Sequence, residues 1–252
     1  MESMATISSR LTTRAAFALR IVAVLACAVL VAKVWLFWLD ITRPPIASRP
    51  ASTTASLASA IEPLSGRVLS PAGTLVSGSP DAMVMLVEFS DFQCPYCAQY
   101  ARDTYGLIQR EFVDSGKVRY VYRNFPLELH SRAFQAAESA LCAGEQGRFW
   151  QMHDLIFALR IGLDRPSLEQ RAARLELNRD TFRECLEAGR PEIVRRDQAE
   201  GLRLGINSTP VFLIGFAQPD GQIRLTERIL GAQTYSTFKH ELEKALISLH
   251  HD

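Results

Sequence analysis

The chain has 252 residues, 48% of them apolar and 22% charged, which is enough for one well-cored domain plus additional segments. Its formal net charge of +1 gives no electrostatic reason to expect a nucleic-acid partner. Of five cysteines only Cys94 and Cys97 are closely spaced, and no second pair at knuckle spacing exists, so zinc is left as an alternative reading of that pair.

Arg10, Arg14 and Arg20 precede an apolar run from Ile21 to Leu39, about the length needed to cross a bilayer. Residues 1–20 are therefore expected to be a cytoplasmic tail and 21–39 a transmembrane signal anchor in the inner membrane. Trp35, Phe37 and Trp38 suit the far interface, and Lys33 is close enough to it to snorkel. Everything after Asp40 is then placed in the periplasm or an equivalent oxidising space. The alternative is a cleaved signal peptide, with Ile21 to Ala32 as its apolar core and Ala26 and Ala28 as small residues near a cleavage site. Cys27 reads as a small apolar membrane residue, since Val24-Leu25-Ala26 is a poor lipidation motif. Residues 40–78 are rich in Pro, Ala, Ser and Thr and read as a flexible tether, with Ile61, Leu64, Val68 and Leu69 adding some order near its end.

A globular domain is expected over 79–252. Met83 to Val87 is an unbroken apolar run of the kind that fills a strand buried on both faces, and Ser90 and Asp91 suit a turn after it. A helix should begin near Cys94, with Pro95 in its first turn and Tyr100, Tyr105, Leu107, Ile108 and Phe112 packed. Cys94 would then sit where unpaired N–H groups and the helix dipole stabilise a thiolate, which makes it the nucleophile. Cys97, one turn in on the same face, is placed to resolve a mixed disulfide formed at Cys94. Glu88 is the odd residue of the strand. Desolvated, it should have a raised pKa and could take or return the proton of the resolving thiol; the alternative is that it ends the strand and faces solvent. These residues together read as a site of thiol-disulfide exchange, which needs no metal or organic cofactor because electrons move through the cysteine pair. Lys117 to Phe125 reads as a second strand, ended by Pro126 and joined to the first by a right-handed parallel crossover.

The segment from Glu88 to Cys97, with an acid six residues before the first cysteine and a Cys-Pro-Tyr-Cys centre, resembles the DsbA-like branch of the thioredoxin superfamily. The resemblance extends from about Gly78 to His250 and implies an α/β thioredoxin-like fold interrupted by a helical domain over about 131–204. The pattern there agrees: an Ala-rich helix around Phe134, Ala137 and Leu141, a second at Phe149 to Ile156, and others at Leu168 to Leu175, Asp180 to Leu186 and Pro191 to Leu204. Phe149, Trp150 and His153 fit the resemblance and read as core, while His130 either caps a turn or acts in exchange. Cys142 and Cys185 bring the cysteines outside the membrane to an even number, so a structural disulfide between them is expected, with two unpaired buried thiols as the alternative.

The chain then returns to sheet. Val211 to Ile214 is a short apolar strand, Pro219 to Gln222 a turn, and Ile223 and Leu225 open the second arm of an antiparallel hairpin. A last helix from about Thr234 carries Phe238, Leu242, Leu246 and Leu249 on one stripe. By resemblance Thr209 and Pro210 form a cis-proline element beside the cysteines that aligns a substrate chain, with Pro95 and Tyr96 also on the substrate side; a trans proline opening an edge strand is the alternative. The resemblance further implies cysteine-containing extracytoplasmic proteins as substrates and a membrane redox partner, either a quinone-linked oxidase or a thiol reductase. It favours an oxidase over a reductase or isomerase. A reading of another class is a peptide-binding, chaperone-like module whose cysteines are structural.

Overall fold

The computed structural model describes residues 61–64, 66–70, 75–159 and 161–249, together with Lys33. The chain divides into two compact units, Met1–Ser52 and Thr53–Asp252, and the sheet and its helices belong to the second. The expected tail and membrane span lie outside the described residues, Lys33 apart. Among the described residues no helix is long and apolar enough to cross a membrane.

The centre of the domain is strand β4 (Val84–Ser90), all seven residues of which are buried. It pairs in parallel with β5 (Val118–Asn124) on one side and antiparallel with β6 (Val211–Ala217) on the other. Burial on both faces explains why its sequence is apolar at every position but Glu88 and Ser90 instead of alternating. Strand β6 returns through a turn into β7 (Ile223–Leu230), giving the expected hairpin.

Three short strands fall inside the stretch read as tether. β1 (Ile61–Pro63) and β2 (Val68–Leu69) pair with β7, and β3 (Leu75–Ser77) pairs with β5, so the sheet runs β1-β7-β6-β4-β5-β3 with β2 also on β7. The ordered domain thus begins before residue 79. Segments of two or three residues carry no readable period; they form because β7 and β5 offer unpaired backbone groups at the sheet edges.

Helix α1 connects β4 to β5 as an α segment Pro95–Tyr100, a π segment Ala101–Tyr105, an α turn Gly106–Ile108 and a second π segment Gln109–Val113. The π segments offset its apolar stripe: Ile108 and Phe112 are fully buried, whereas Leu107, expected to pack, is exposed. On the same face of the sheet lies α7 (Tyr235–Ser248), whose Phe238 and Leu242 meet Tyr100, Phe212 and Ile214.

The helical insertion contains α2 (Ala133–Gly144), α3 (Phe149–Leu159), α4 (Arg165–Arg174), α5 (Arg179–Ala188) and α6 (Pro191–Arg203). Its core is continuous with the cysteine site through Phe92, Tyr122 and Met152. α6 lies against the opposite face of the sheet, where a Cβ at Gly201 would come within 2.6 Å of the Phe125 ring, so close approach there requires glycine. The contact is also ionic: buried Arg123 of β5 pairs with Asp197 of α6 at 2.7 Å, and Asp197 accepts the backbone N–H of Asn124 at 3.1 Å.

Candidate active site

The end of β4 turns at Asp91 to Gln93 and enters α1 with Cys94 as the extended N-cap residue and Pro95 at the first helical position. Buried Asp91 fixes this turn. Its Oδ1 accepts the backbone N–H of Gln93 at 2.7 Å and of Cys94 at 3.2 Å, an Asx turn that sets the direction of the helix. Its Oδ2 accepts the N–H of Leu127 at 2.8 Å and meets His130 Nδ1 at 2.7 Å, tying the loop after β5 to the same turn. His130 therefore braces the turn of the site through Asp91, a role between the two expected for it.

The Thr209–Pro210 peptide bond is cis and lies against Cys94, whose Sγ donates to the Thr209 carbonyl at 3.3 Å. That bond belongs to the neutral thiol. As a thiolate, Cys94 accepts instead from the Cys97 thiol first, then the Thr209 side chain and the N–H groups of Cys97 and Tyr96, and these donors outweigh burial to bring its pKa down to about 5. Cys97 is shifted the other way, well above the ordinary thiol value, by burial first and then by its bond to Cys94 and the nearby charges of Cys94 and Glu88. Both cysteines are free thiols in this structure. Tyr96 between them is 62% exposed, and Pro95 is exposed beside it.

Glu88 is 1% exposed, in register with Tyr122 of β5 and Phe212 of β6, so it does not face solvent. Burial raises its pKa, opposed by the charge of His153, by the hydrogen bond from Tyr120 and by the nearby Ser90 hydroxyl. Tyr120 donates its hydroxyl to Glu88 and stands 3.1 Å from the Tyr100 hydroxyl. The carboxyl thus sits in a buried polar pocket under Cys97.

The structure brings Cys94, Cys97, Glu88, Pro95, Tyr96, Thr209 and Pro210 to one place. Cys142 and Cys185 are bonded to each other in the insertion, joining α2 to α5. Sequence reasoning treated Asp91 only as a turn former and left Ser90, Tyr100, Tyr120 and Tyr122 without a role near the site. The signal for Asp91 was its place three residues before the helix N-cap; for the others none existed before the strand register was known. Among the described residues no three His, Cys, Asp or Glu side chains cluster as a metal site requires.

Residues 70–228 match the family model described as thioredoxin. The chain is similar to the α-DsbA1 protein of Wolbachia pipientis, with a TM-score of 0.61 at 22% identity over 71% of this chain and 94% of that one. It is likewise similar to BdbD of Bacillus subtilis, with a TM-score of 0.60 at 24% identity over 73% and 98% of the two chains. A Na(+)/H(+) antiporter NhaA 3 of Salinispora tropica is 37% identical over 166 residues, 65% of this chain. The chain spans only about a quarter of the antiporter's length, as the match covers 24% of it. On the family match the chain belongs to the thioredoxin family, and its fold is that of α-DsbA1 and BdbD.

Proposed function

We propose that the Cys94-Pro95-Tyr96-Cys97 site exchanges disulfides with cysteine-containing extracytoplasmic proteins, chiefly in the oxidising direction. The observation that carries this reading is the opposite displacement of the two thiols: Cys94 is lowered to about 5 and Cys97 is raised. A stabilised Cys94 thiolate favours the reduced form of the pair, so the disulfide is the more readily given away.

In the oxidised protein a substrate thiolate attacks Cys94 Sγ, the sulfur of the pair that lies between exposed Tyr96 and the Thr209 carbonyl. The Cys94–Cys97 bond breaks and its electron pair leaves on Cys97, which takes a proton from Glu88. A second substrate thiolate then attacks the substrate sulfur of the mixed disulfide and expels Cys94 as a thiolate. The substrate loses two electrons and gains a disulfide; the cysteine pair takes the two electrons. Thr209 and Pro210 align the substrate chain, with Pro95 and Tyr96 lining its approach.

A membrane partner must reoxidise the pair, and a quinone-linked oxidase is the class that fits this direction; a thiol reductase would serve a reductase or isomerase. The basic residues before the apolar run at 21–39 support a single-pass anchor followed by a catalytic domain in the periplasm. The test is incubation of the oxidised full chain with a reduced two-cysteine peptide. Peptide oxidation matched by loss of the Cys94–Cys97 bond, and abolished in Cys94→Ala, is expected. A peptide that binds yet keeps its thiols would overturn the exchange reading in favour of a binding module.

A further inference from the structure

Behind Glu88 lies a buried polar region that the exchange steps leave unused. Glu88 and Ser90 project from one face of β4, and Tyr120 and Tyr122 lie on the adjoining β5, with Glu88 in register with Tyr122. From the insertion α3 brings in His153, 1% exposed, in edge contact with Tyr122 at 5.1 Å and Phe157 at 4.9 Å between ring centroids. Three polar atoms here, Ser90 Oγ, Tyr122 Oη and His153 Nε2, are buried without a hydrogen-bond partner. Such atoms are costly unless a shared polar guest satisfies them, and water is the guest that fits two donors or acceptors at once.

The imidazole is also oriented. Its Nδ1 meets Asp154 Oδ1 at 2.9 Å, which leaves the buried Nε2 on the interior side of the ring. Asp154 is exposed and lines an open groove of about 780 Å³ between α1 and α3, together with Tyr105 and Trp150. His153 thus stands between Tyr122, which is in register with Glu88, and a groove open to bulk water. The electrostatics agree with that proximity: Ser90 lowers the pKa of Glu88, Cys97 and Tyr122, and the imidazole lowers that of Glu88.

We propose that His153 is the proton exchanger of Glu88, passing protons between the carboxyl and the groove at Asp154 by way of the Ser90 and Tyr122 hydroxyls and water bound among them. Only a proton moves: Glu88 gives one to Cys97 as that sulfur leaves the disulfide and regains one from His153, and the reverse holds when Cys97 attacks. His153 acts through Glu88 and does not touch the reacting sulfurs. The titratable groups facing the imidazole are Glu88 from β4, Tyr120 and Tyr122 from β5, Tyr105 from α1 and Asp154 beside it. Burial raises the three tyrosines, so they relay protons without ionising. This inference rests on the proposed exchange activity.

The experiment loads Cys94 of the full chain with glutathione as a mixed disulfide and follows glutathione release by Cys97 across pH. His153→Phe and Tyr122→Phe are compared with wild type, singly and together; both keep the aromatic packing. Each single variant should release glutathione roughly tenfold or more slowly at neutral pH, below the full contribution of a positioned acid–base group because Glu88 is retained. The double variant should be no slower than either single one. His153→Phe should also move the acid-range inflection of the profile upward, because the group that lowers the Glu88 pKa is gone, while Cys94 alkylation keeps its rate. Release within twofold of wild type with an unmoved profile overturns the relay. So does a joint fall in release and Cys94 alkylation, which would mark the imidazole as packing. Should His153→Phe not fold, Tyr122→Phe decides alone. Failure of wild-type Cys94 to take up glutathione at all would instead sink the exchange reading.

Discussion

Cys94 Sγ and the Thr209 carbonyl oxygen lie 3.3 Å apart across 115 residues of sequence. The carbonyl holds the thiol in its protonated form and cannot hold the thiolate, so ionisation of Cys94 frees that oxygen. On the proposed exchange reading, a substrate backbone N–H arriving beside the cis peptide would find an acceptor at the moment the nucleophile becomes reactive.

In the reduced protein, alkylation of Cys94 should rise with a midpoint near pH 5, and Cys97 should stay unmodified through neutral pH. The folded pKa of about 5 lies below the unfolded thiol value of 9.0, so the reduced fold gains stability as pH rises between them and loses it as pH falls through the lower value. Denaturant unfolding of the reduced and oxidised proteins should show their stability difference shifting toward the reduced form from pH 5 to pH 9. A pH-independent difference would contradict the thiolate.

Glu88→Gln keeps the shape and removes the proton. Release of a thiol by Cys97 from a mixed disulfide should slow roughly 100-fold, the low end of positioned acid–base catalysis. Because the folded pKa of Glu88 is raised above 4.5, wild type loses stability as pH rises past that value, and the variant should lack this loss. Stopped-flow release and thermal unfolding at several pH values measure the two effects.

The Cys142–Cys185 bond closes a loop of 43 residues between α2 and α5. Replacing both cysteines by Ala should lower stability by about 4 kcal/mol in the chain-entropy account. Equilibrium unfolding in urea checks this, and the pH midpoint of Cys94 alkylation should not move, because the groups that lower the Cys94 pKa are Cys97, Thr209 and Tyr96.

Asp197→Ala leaves the fully buried Arg123 guanidinium without its 2.7 Å partner and Asn124 without an acceptor. Because the guanidinium keeps Glu200 at 3.3 Å and the Ser70 carbonyl, the change should cost about 1–3 kcal/mol, the range for leaving buried donors unsatisfied. The loss should appear in denaturant midpoints, and Arg123→Met in the same background should recover part of it.

What could be read from the sequence was local. Met83 to Val87 declared a buried strand by being apolar, Cys94-Pro95 declared a helix start, and the stripe at Phe238 and Leu242 declared a packed helix; the structure has all three, though the strand runs Val84–Ser90, with Met83 exposed outside it and Ser90 within it, not in the turn. The pairing of Asp91 with His130 and the gathering of Tyr120, Tyr122 and His153 around Glu88 were not legible. They depend on the register between β4 and β5 and on where the insertion folds back, and both arise from contacts between residues far apart in the chain. The strands β1 to β3 escaped for a different reason: they have no period of their own and are templated by the edges of β7 and β5.

The central claim is that the Cys94–Cys97 pair donates disulfides, and its equilibrium reduction potential, measured in the full chain against glutathione, tests this most directly. A potential at or above that of the glutathione couple is the expected result, because the Cys94 thiolate stabilises the reduced form. A strongly reducing, thioredoxin-like potential would contradict it and make the protein a reductase.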